Sequence, residues 1–288
     1  MRFLIFGCNG MVGHMVSMYL QEQGYCVTGF AREKSLYVDT IVGDVRDIEY
    51  VRNLVERNDY DCIVNCIGIL NKFAESDPEA AIFLNSYFPH YLEKITKNTE
   101  IQIIHISTDC VFSGNRGQYS ENDIPDGELY YDRSKALGEI FNNKDVTFRT
   151  SVVGPDIKPS GIGLLNWFLQ QNKTVLGYKN ALWTGQTNLQ LAKSIENAAI
   201  QRVYGLYNLV PERAISKYEL LCLFNMHLRD SPVEIIPEYN FKIDKSLVRK
   251  RYEVFSYKIP DYEEQIVELK EWMIKHKEMY PHYENLKL

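Results

Sequence analysis

The chain has 288 residues, of which 45% are hydrophobic and 24% charged, with a formal net charge of −6. That length builds one large domain or two coupled ones around a sizeable core. The mild acidity gives no field to draw nucleic acid or an anionic membrane, and no apolar run approaches the ~20 residues of a membrane span.

The opening "MRFLIFG" reads as a short buried strand; its apolar run is too brief for a signal peptide. "GMVGHMVSMYLQEQG" follows with helical spacing. Val12, Val16, Tyr19 and Leu20 share one face, and Gly24 closes the helix. "YCVTGF" and "TIVGD" read as the second and third strands. "DIEYVRNLVERN" is a helix with Asp47 as N-cap, and "DCIVNCIG" a fourth strand. "DPEAAIFLNSYFPHYLEKITKN" is a long helix with proline in its first turn. "IQIIHIS" is a fifth strand, "DRSKALGEIFNN" a helix and "VTFRTSVV" a sixth strand. Such alternation with continuously apolar strands predicts an α/β fold: a doubly wound parallel sheet covered on both faces, over residues 1–150.

From about residue 151 the pattern loosens. "GPDIKPSGIG" is a loop. "LLNWFLQQN", "TNLQLAKSIENAAI", "SKYELLCLFNMHL" and "PDYEEQIVELKEWMIKH" read as helices, and "GLYNLV" as a late strand, separated by less regular charged sequence. Residues 151–288 are therefore expected to form mainly a smaller substrate-binding lobe, with elements near 185–210 returning to the first. The six cysteines sit mostly in strand-like stretches. Cys62 and Cys66 lack a second pair or nearby histidines, so no zinc site is expected and the thiols read as buried and reduced, in a cytoplasmic protein. The 20 tyrosines fit either a hydroxyl-rich ligand wall or codon bias.

"GCNGMVG" places Gly7, Gly10 and Gly13 between the first strand and first helix. The first glycine permits the tight turn, the second close approach of a pyrophosphate, the third helix–sheet packing. The helix N-terminus then faces the phosphates, with Asn9, Met11 and Val12 in the same turn. This context makes the pattern a dinucleotide site, the alternative being a glycine-rich turn without ligand. Arg32 lies nineteen residues after Gly13. It favours the 2′-phosphate of NADPH, with NADH still possible because Glu33 is adjacent, unless Arg32 is simply a solvated charge.

In "YYDRSK", Lys135 lies four residues after Tyr131, not Tyr130, so Tyr131 shares its helical face. A phenol near pKa 10 needs a nearby cation to exchange protons at neutral pH.

Together with these motifs, the sequence resembles the extended short-chain dehydrogenase/reductase family, in its dTDP-4-dehydrorhamnose reductase branch, over almost the whole chain. "GDVRD" is similar to a family loop that meets adenine, which implies Asp44 and Val45. "NCIG" is similar to a loop along the cofactor, which implies Cys66, Ile67 and Gly68. "AESDPEAAIFLNSYFPHYL", with Asn85, resembles the segment that follows. "STDCVFSG" resembles the family's Ser-Thr-Asp-Tyr-Val-Phe segment and supplies Thr108. Thr108 can steady a developing alkoxide or merely cap a turn.

The resemblance implies a catalytic set of Thr108, Tyr131 and Lys135 and hydride delivery from NADPH to C4 of a nucleotide-linked keto sugar. Tyr131 would donate the proton. Lys135 would hold the nicotinamide ribose and keep the phenol pKa low.

Family dehydratases carry Asp-Glu after the threonine; here Asp109 is followed by Cys110, which argues against dehydration. An epimerase on the same scaffold stays open. So does a non-catalytic binding protein, since the regulatory subunit of methionine adenosyltransferase resembles the same branch. Departures gather on the substrate side. Val152 stands where tryptophan is usual, Cys110 replaces tyrosine, "LWTGQTN" is atypical, and "DKSLV" only hints at the family's C-terminal motif. Asp109, Arg149 and Trp183 are candidate substrate contacts, Trp183 being equally an ordinary core side chain. A homodimer is left open.

Overall fold

The computed structural model describes residues 1–288 apart from 58, 253, 254, 284, 285, 287 and 288. In chain order the strands are β1 (Arg2–Phe6), β2 (Cys26–Ala31), β3 (Thr40–Val42), β4 (Cys62–Asn65), β5 (Gln102–Thr108), β6 (Val146–Thr150), β7 (Val152–Val153), β8 (Val175–Trp183), β9 (Gln186–Thr187), β10 (Gly205–Asn208), β11 (Ile215–Ser216) and β12 (Ile235–Asp244). The helices are α1 (Met11–Glu22), α2 (Ile48–Glu56), α3 (Asn71–Ser76), α4 (Pro78–Ala81), α5 (Phe88–Thr96), α6 (Tyr130–Leu137), α7 (Leu164–Leu169), α8 (Asn188–Gln201), α9 (Lys217–Leu228) and α10 (Tyr262–Lys275).

Seven strands form one sheet in the order β10-β6-β5-β4-β1-β2-β3, and every pairing is parallel. The fold class is the doubly wound α/β sheet expected. The order reverses between β1 and β4, so the crevice at their C-terminal ends is where such sheets take ligands. The sheet is buried on both faces: Phe3, Leu4, Ile5 and Phe6 of β1 are all inaccessible, which explains its unbroken apolar run. Met15, Val16 and Leu20 of α1 cover one face, and Phe88, Tyr91 and Leu92 of α5 the other.

The late strand β10 pairs with β6 and completes the sheet edge, while α8 packs on α1. Outside the main sheet, β8 lies between β11 and β12, and β7 pairs with β9.

Several elements differ from the sequence-based expectation. The long helix after Asp77 is not uniformly α: α4 passes through a π-helical turn at Ile82–Tyr87 into α5. The helix α6 begins at Tyr130 and stops at Leu137 rather than running to residue 143. Its C-cap Gly138 sits against the Asn85 carbonyl, where any side chain would overlap. Strands β8 and β12 occupy sequence read as irregular. In β8 the outward positions Leu176, Tyr178 and Leu182 are apolar like the inward ones, so polarity does not alternate. β12 is largely exposed, carries Pro237, and shifts register against β8 between Glu238 and Lys242. All six cysteines are free, but Cys26 is exposed rather than buried. Among the described residues no helix is long and apolar enough to cross a membrane.

Candidate active site

The glycine turn sits directly at the switch point. Gly7 has φ +82°, the left-handed region that favours glycine. A side chain at Gly13 would overlap the Gly7 carbonyl, so the third glycine sets the approach of α1 to the turn. Gly10 caps α1, and the first-turn N–H groups of Met11, Val12 and Gly13 open toward the crevice end of the helix. Asn9 donates to the Glu33 carbonyl at 2.8 Å, which ties the turn to the loop after β2 that carries Arg32. Arg32 itself is exposed. Across the crevice, Cys66 and Ile67 lie against Gly7, and burial pushes the Cys66 thiol up to about 12. Asp44 is exposed and accepts from the Arg46 N–H at 2.9 Å, whereas Val45 is buried in the core under α2. A bare backbone cradle with an open cationic rim fits the diphosphate and ribose phosphate of a dinucleotide.

Asn85 ties the loop after β4 to α6. It lies in the π-helical turn and is fully buried. Its carbonyl oxygen accepts from Ile69 N–H at 2.9 Å. Its amide donates to the Ile69 carbonyl and to Ser134 Oγ of α6, each at 3.0 Å. Widened turns of this kind often mark functional positions.

The adjacent tyrosines of "YYDRSK" part company. Tyr130 is 51% exposed and Tyr131 only 7%. The Tyr131 hydroxyl lies near the Thr108 side chain at the end of β5. Burial pushes the phenol above its ordinary value, Cys110 adds to this, and the Thr108 hydroxyl opposes it. The downward pull expected from Lys135 is not among the leading influences. Instead, Lys135 Nζ donates to the Ile106 carbonyl at 2.7 Å. Burial lowers its ammonium to about 8, with Glu139 and Cys66 resisting. A phenol that stays protonated is the form a proton donor requires. Thr108 also accepts from Cys110 N–H at 3.1 Å, so it caps its turn and meets Tyr131 at once. Tyr131 N–H donates to Glu75 of α3 at 3.2 Å.

The three substrate-side candidates separate. Asp109 follows Thr108 and is buried beside it. Arg149 is buried in β6 and gives two hydrogen bonds of 2.8 and 2.7 Å to Glu139, with Phe112 under its guanidinium. That pairing takes Nε and Nη2, while Nη1 is buried without a hydrogen-bond partner. Trp183 occupies the core position that is its alternative reading. It is 3% exposed, tilted against Tyr262 and covered by Lys217, which leaves no open face for stacking.

Two side chains went unread in the sequence. Asn188, at the start of α8, donates to the Met11 carbonyl at 2.9 Å and the Pro155 carbonyl at 3.2 Å, bracing the glycine turn from the second half of the chain. Lys217, at the start of α9, sets its ammonium 4.8 Å from the centre of the Trp183 ring. Both stand at helix starts far along the chain, and no local spacing links them to the crevice.

A glycine turn at the switch point, with threonine, tyrosine and lysine gathered beside it, is the arrangement of the extended short-chain dehydrogenases/reductases. Residues 1–284 match the model described as the RmlD substrate binding domain. The chain belongs to that family.

Among curated relatives, it is 36% identical over 143 residues to the probable low-salt glycan biosynthesis reductase Agl14 of Haloferax volcanii, spanning 48% of each chain. The match thus covers about half that relative's length. It is 25% identical to the dTDP-4-dehydrorhamnose reductase of Aggregatibacter actinomycetemcomitans, over 83% of each. It is 24% identical to methionine adenosyltransferase 2 subunit beta of Xenopus tropicalis, over 86% of this chain and 82% of that one. Among solved structures, a hypothetical dTDP-4-dehydrorhamnose reductase from Sulfolobus tokodaii superposes with TM-score 0.71 at 26% identity, covering 86% of this chain and 92% of the other. The dTDP-4-dehydrorhamnose reductase from Bacillus anthracis, solved with NADP, gives TM-score 0.79 at 20% identity over 96% and 99%; at that identity the likeness speaks for the fold.

Proposed function

We propose that this protein is an NADPH-dependent reductase of a nucleotide-activated 4-keto-6-deoxy sugar, acting in the cytoplasm in deoxysugar or surface-polysaccharide precursor synthesis. The observation that carries the reading is the buried grouping of Thr108, at the end of β5, with Tyr131 and Lys135 on one face of α6. Reductase names among the relatives support it. Gly7, Gly10, Gly13, Cys66 and Ile67 would hold NADPH, which would supply a hydride there. Thr108 and Tyr131 bind the sugar carbonyl, and Tyr131 gives its proton to the oxygen as negative charge builds there. Lys135, anchored at Ile106, presents its remaining donors to the ribose. Asp109 is followed by Cys110 rather than a second acid, so hydroxyl elimination has no proton donor at that position.

The test is NADPH oxidation with dTDP-, UDP- and GDP-linked 4-keto-6-deoxy sugars. Turnover with at least one is expected, together with tighter binding of NADPH than NADH, a preference that Arg32→Ala abolishes. Equal affinities in the parent protein would remove the role of Arg32. The relative named as a methionine adenosyltransferase subunit supports a second, non-catalytic reading. Absence of turnover across the panel with NADPH binding intact would favour it.

The acidity of Lys135 gives a pH signature. Its ammonium is present below about 8 and lost above it. Thus kcat/KM for NADPH, which reports the free enzyme, should be level below that pH and fall as pH rises through it. A profile without that break, or one unchanged in Lys135→Met, would refute the assignment.

A further inference from the structure

His14 lies in α1, one turn after the glycine cap, and is buried. Its Nδ1 sits 3.0 Å from the Gly10 carbonyl oxygen, and its Nε2 3.0 Å from the Tyr280 hydroxyl. Tyr280 comes from the other end of the chain, just after the short 3-10 turn Lys277–Met279 that follows α10. Trp272 Nε1 donates to the same hydroxyl at 3.3 Å. Chemistry sets every proton in this row. A carbonyl only accepts, so Nδ1 carries the hydrogen. Burial lowers the His14 imidazole to about 4, so near pH 7 the ring is neutral and Nε2 accepts. Indole N–H only donates, so the Tyr280 oxygen accepts from Trp272 and sends its own proton to Nε2.

The Gly10 carbonyl also accepts the His14 backbone N–H at 2.9 Å, so both its lone pairs are used. That carbonyl and the Met11 N–H belong to one planar peptide and point opposite ways. Two donors holding the carbonyl back along α1 therefore hold the Met11 N–H forward, out of the helix end where a diphosphate would sit. A peptide left free to rock spreads that donor and brings the negative end of its dipole toward the anion.

We infer that His14 is a positioning residue for the dinucleotide diphosphate, its ring held in the donating tautomer by Tyr280 so that the Gly10–Met11 peptide keeps its N–H on the phosphates. The segment after α10 thus acts on the cofactor cradle through two buried side chains. The inference rests on the dinucleotide reading of the glycine turn and adds two residues to it.

The test is fluorescence titration of the whole protein with NADPH, read beside denaturant unfolding of each variant without nucleotide. His14→Leu keeps the bulk and deletes the donor. It should raise the Kd for NADPH about fivefold, the worth of one hydrogen bond. His14→Asn, whose amide nitrogen hangs from Cγ as Nδ1 does, should recover most of that loss. Tyr280→Phe should weaken NADPH binding in the parent and add nothing in His14→Leu, because the ring it orients is gone. The double variant replaces both polar partners by apolar groups, which restores stability, yet its Kd should stay raised; packing alone does not separate the two readouts. The inference is overturned if His14→Leu binds NADPH like the parent, if affinity returns together with stability in the double variant, or if the two single losses add. Where His14→Leu does not fold, Tyr280→Phe decides, and an unchanged Kd overturns the inference. A parent protein that does not bind NADPH sinks the dinucleotide reading and this inference with it, whereas tight parental binding indifferent to His14 sinks the inference alone.

Discussion

Tyr131→Phe should lower kcat by about 10²–10⁴-fold, the range that general acid catalysis supplies, while the Kd for NADPH barely changes. The substitution keeps the ring that packs against Ala74 and Ala81 and deletes only the hydroxyl that meets Thr108. Neighbouring Tyr130 is the internal control: it is half exposed, and Tyr130→Phe should leave the rate within a factor of about two, as for surface changes away from special features. Steady-state kinetics with the substrate found in the panel decides it. A Tyr131→Phe protein with an unaltered rate would mean that the proton comes from elsewhere.

The second large effect is on stability. Glu139 and Arg149 form a buried pair with both side chains almost inaccessible, and Ser107 Oγ donates to the same carboxylate at 2.8 Å. The pair joins the end of α6 to β5 and β6. Arg149→Met strands a carboxylate in the interior and should cost about 3–5 kcal/mol in denaturant unfolding. The double change Arg149→Met with Glu139→Leu should regain most of that loss, because it removes the stranded charge as well. If Arg149→Met instead unfolds normally and raises KM for the sugar nucleotide, Arg149 is a substrate contact after all and its burial against Glu139 opens during binding.

These two residues also show where the sequence was readable. Tyr131, Lys135 and the three glycines announce themselves through short, fixed spacings on elements whose type is plain from apolar pattern. The main sheet was legible for the same reason: its strands are apolar on both faces. Arg149 and Trp183 were read as substrate contacts because their chemistry suits one. Their burial depends on Glu139, Tyr262 and Lys217, which a linear reading does not place beside them. Asn188 and Lys217 arrive from other parts of the chain. β8 escaped notice because Leu176, Tyr178 and Leu182 face outward without being polar, so the period of two carries no contrast. The π-helical turn at Asn85 has no local signal either. Its single extra residue per turn is repaid by hydrogen bonds to Ile69 and Ser134, both distant in sequence.

The pairing of β10 with β6 has a bearing on how the protein is made. Val146 of β6 and Gly205 of β10 are register partners, so the outer rim of the sheet stays open until the ribosome has passed residue 205. By then the glycine turn, Thr108 and α6 have long been synthesised. During that interval β6 presents unpaired backbone groups, the kind of rim that recruits other chains. Efficient maturation therefore depends on α8 and β10 docking promptly after synthesis, and substitutions in either element can lower yield without touching a residue of the crevice.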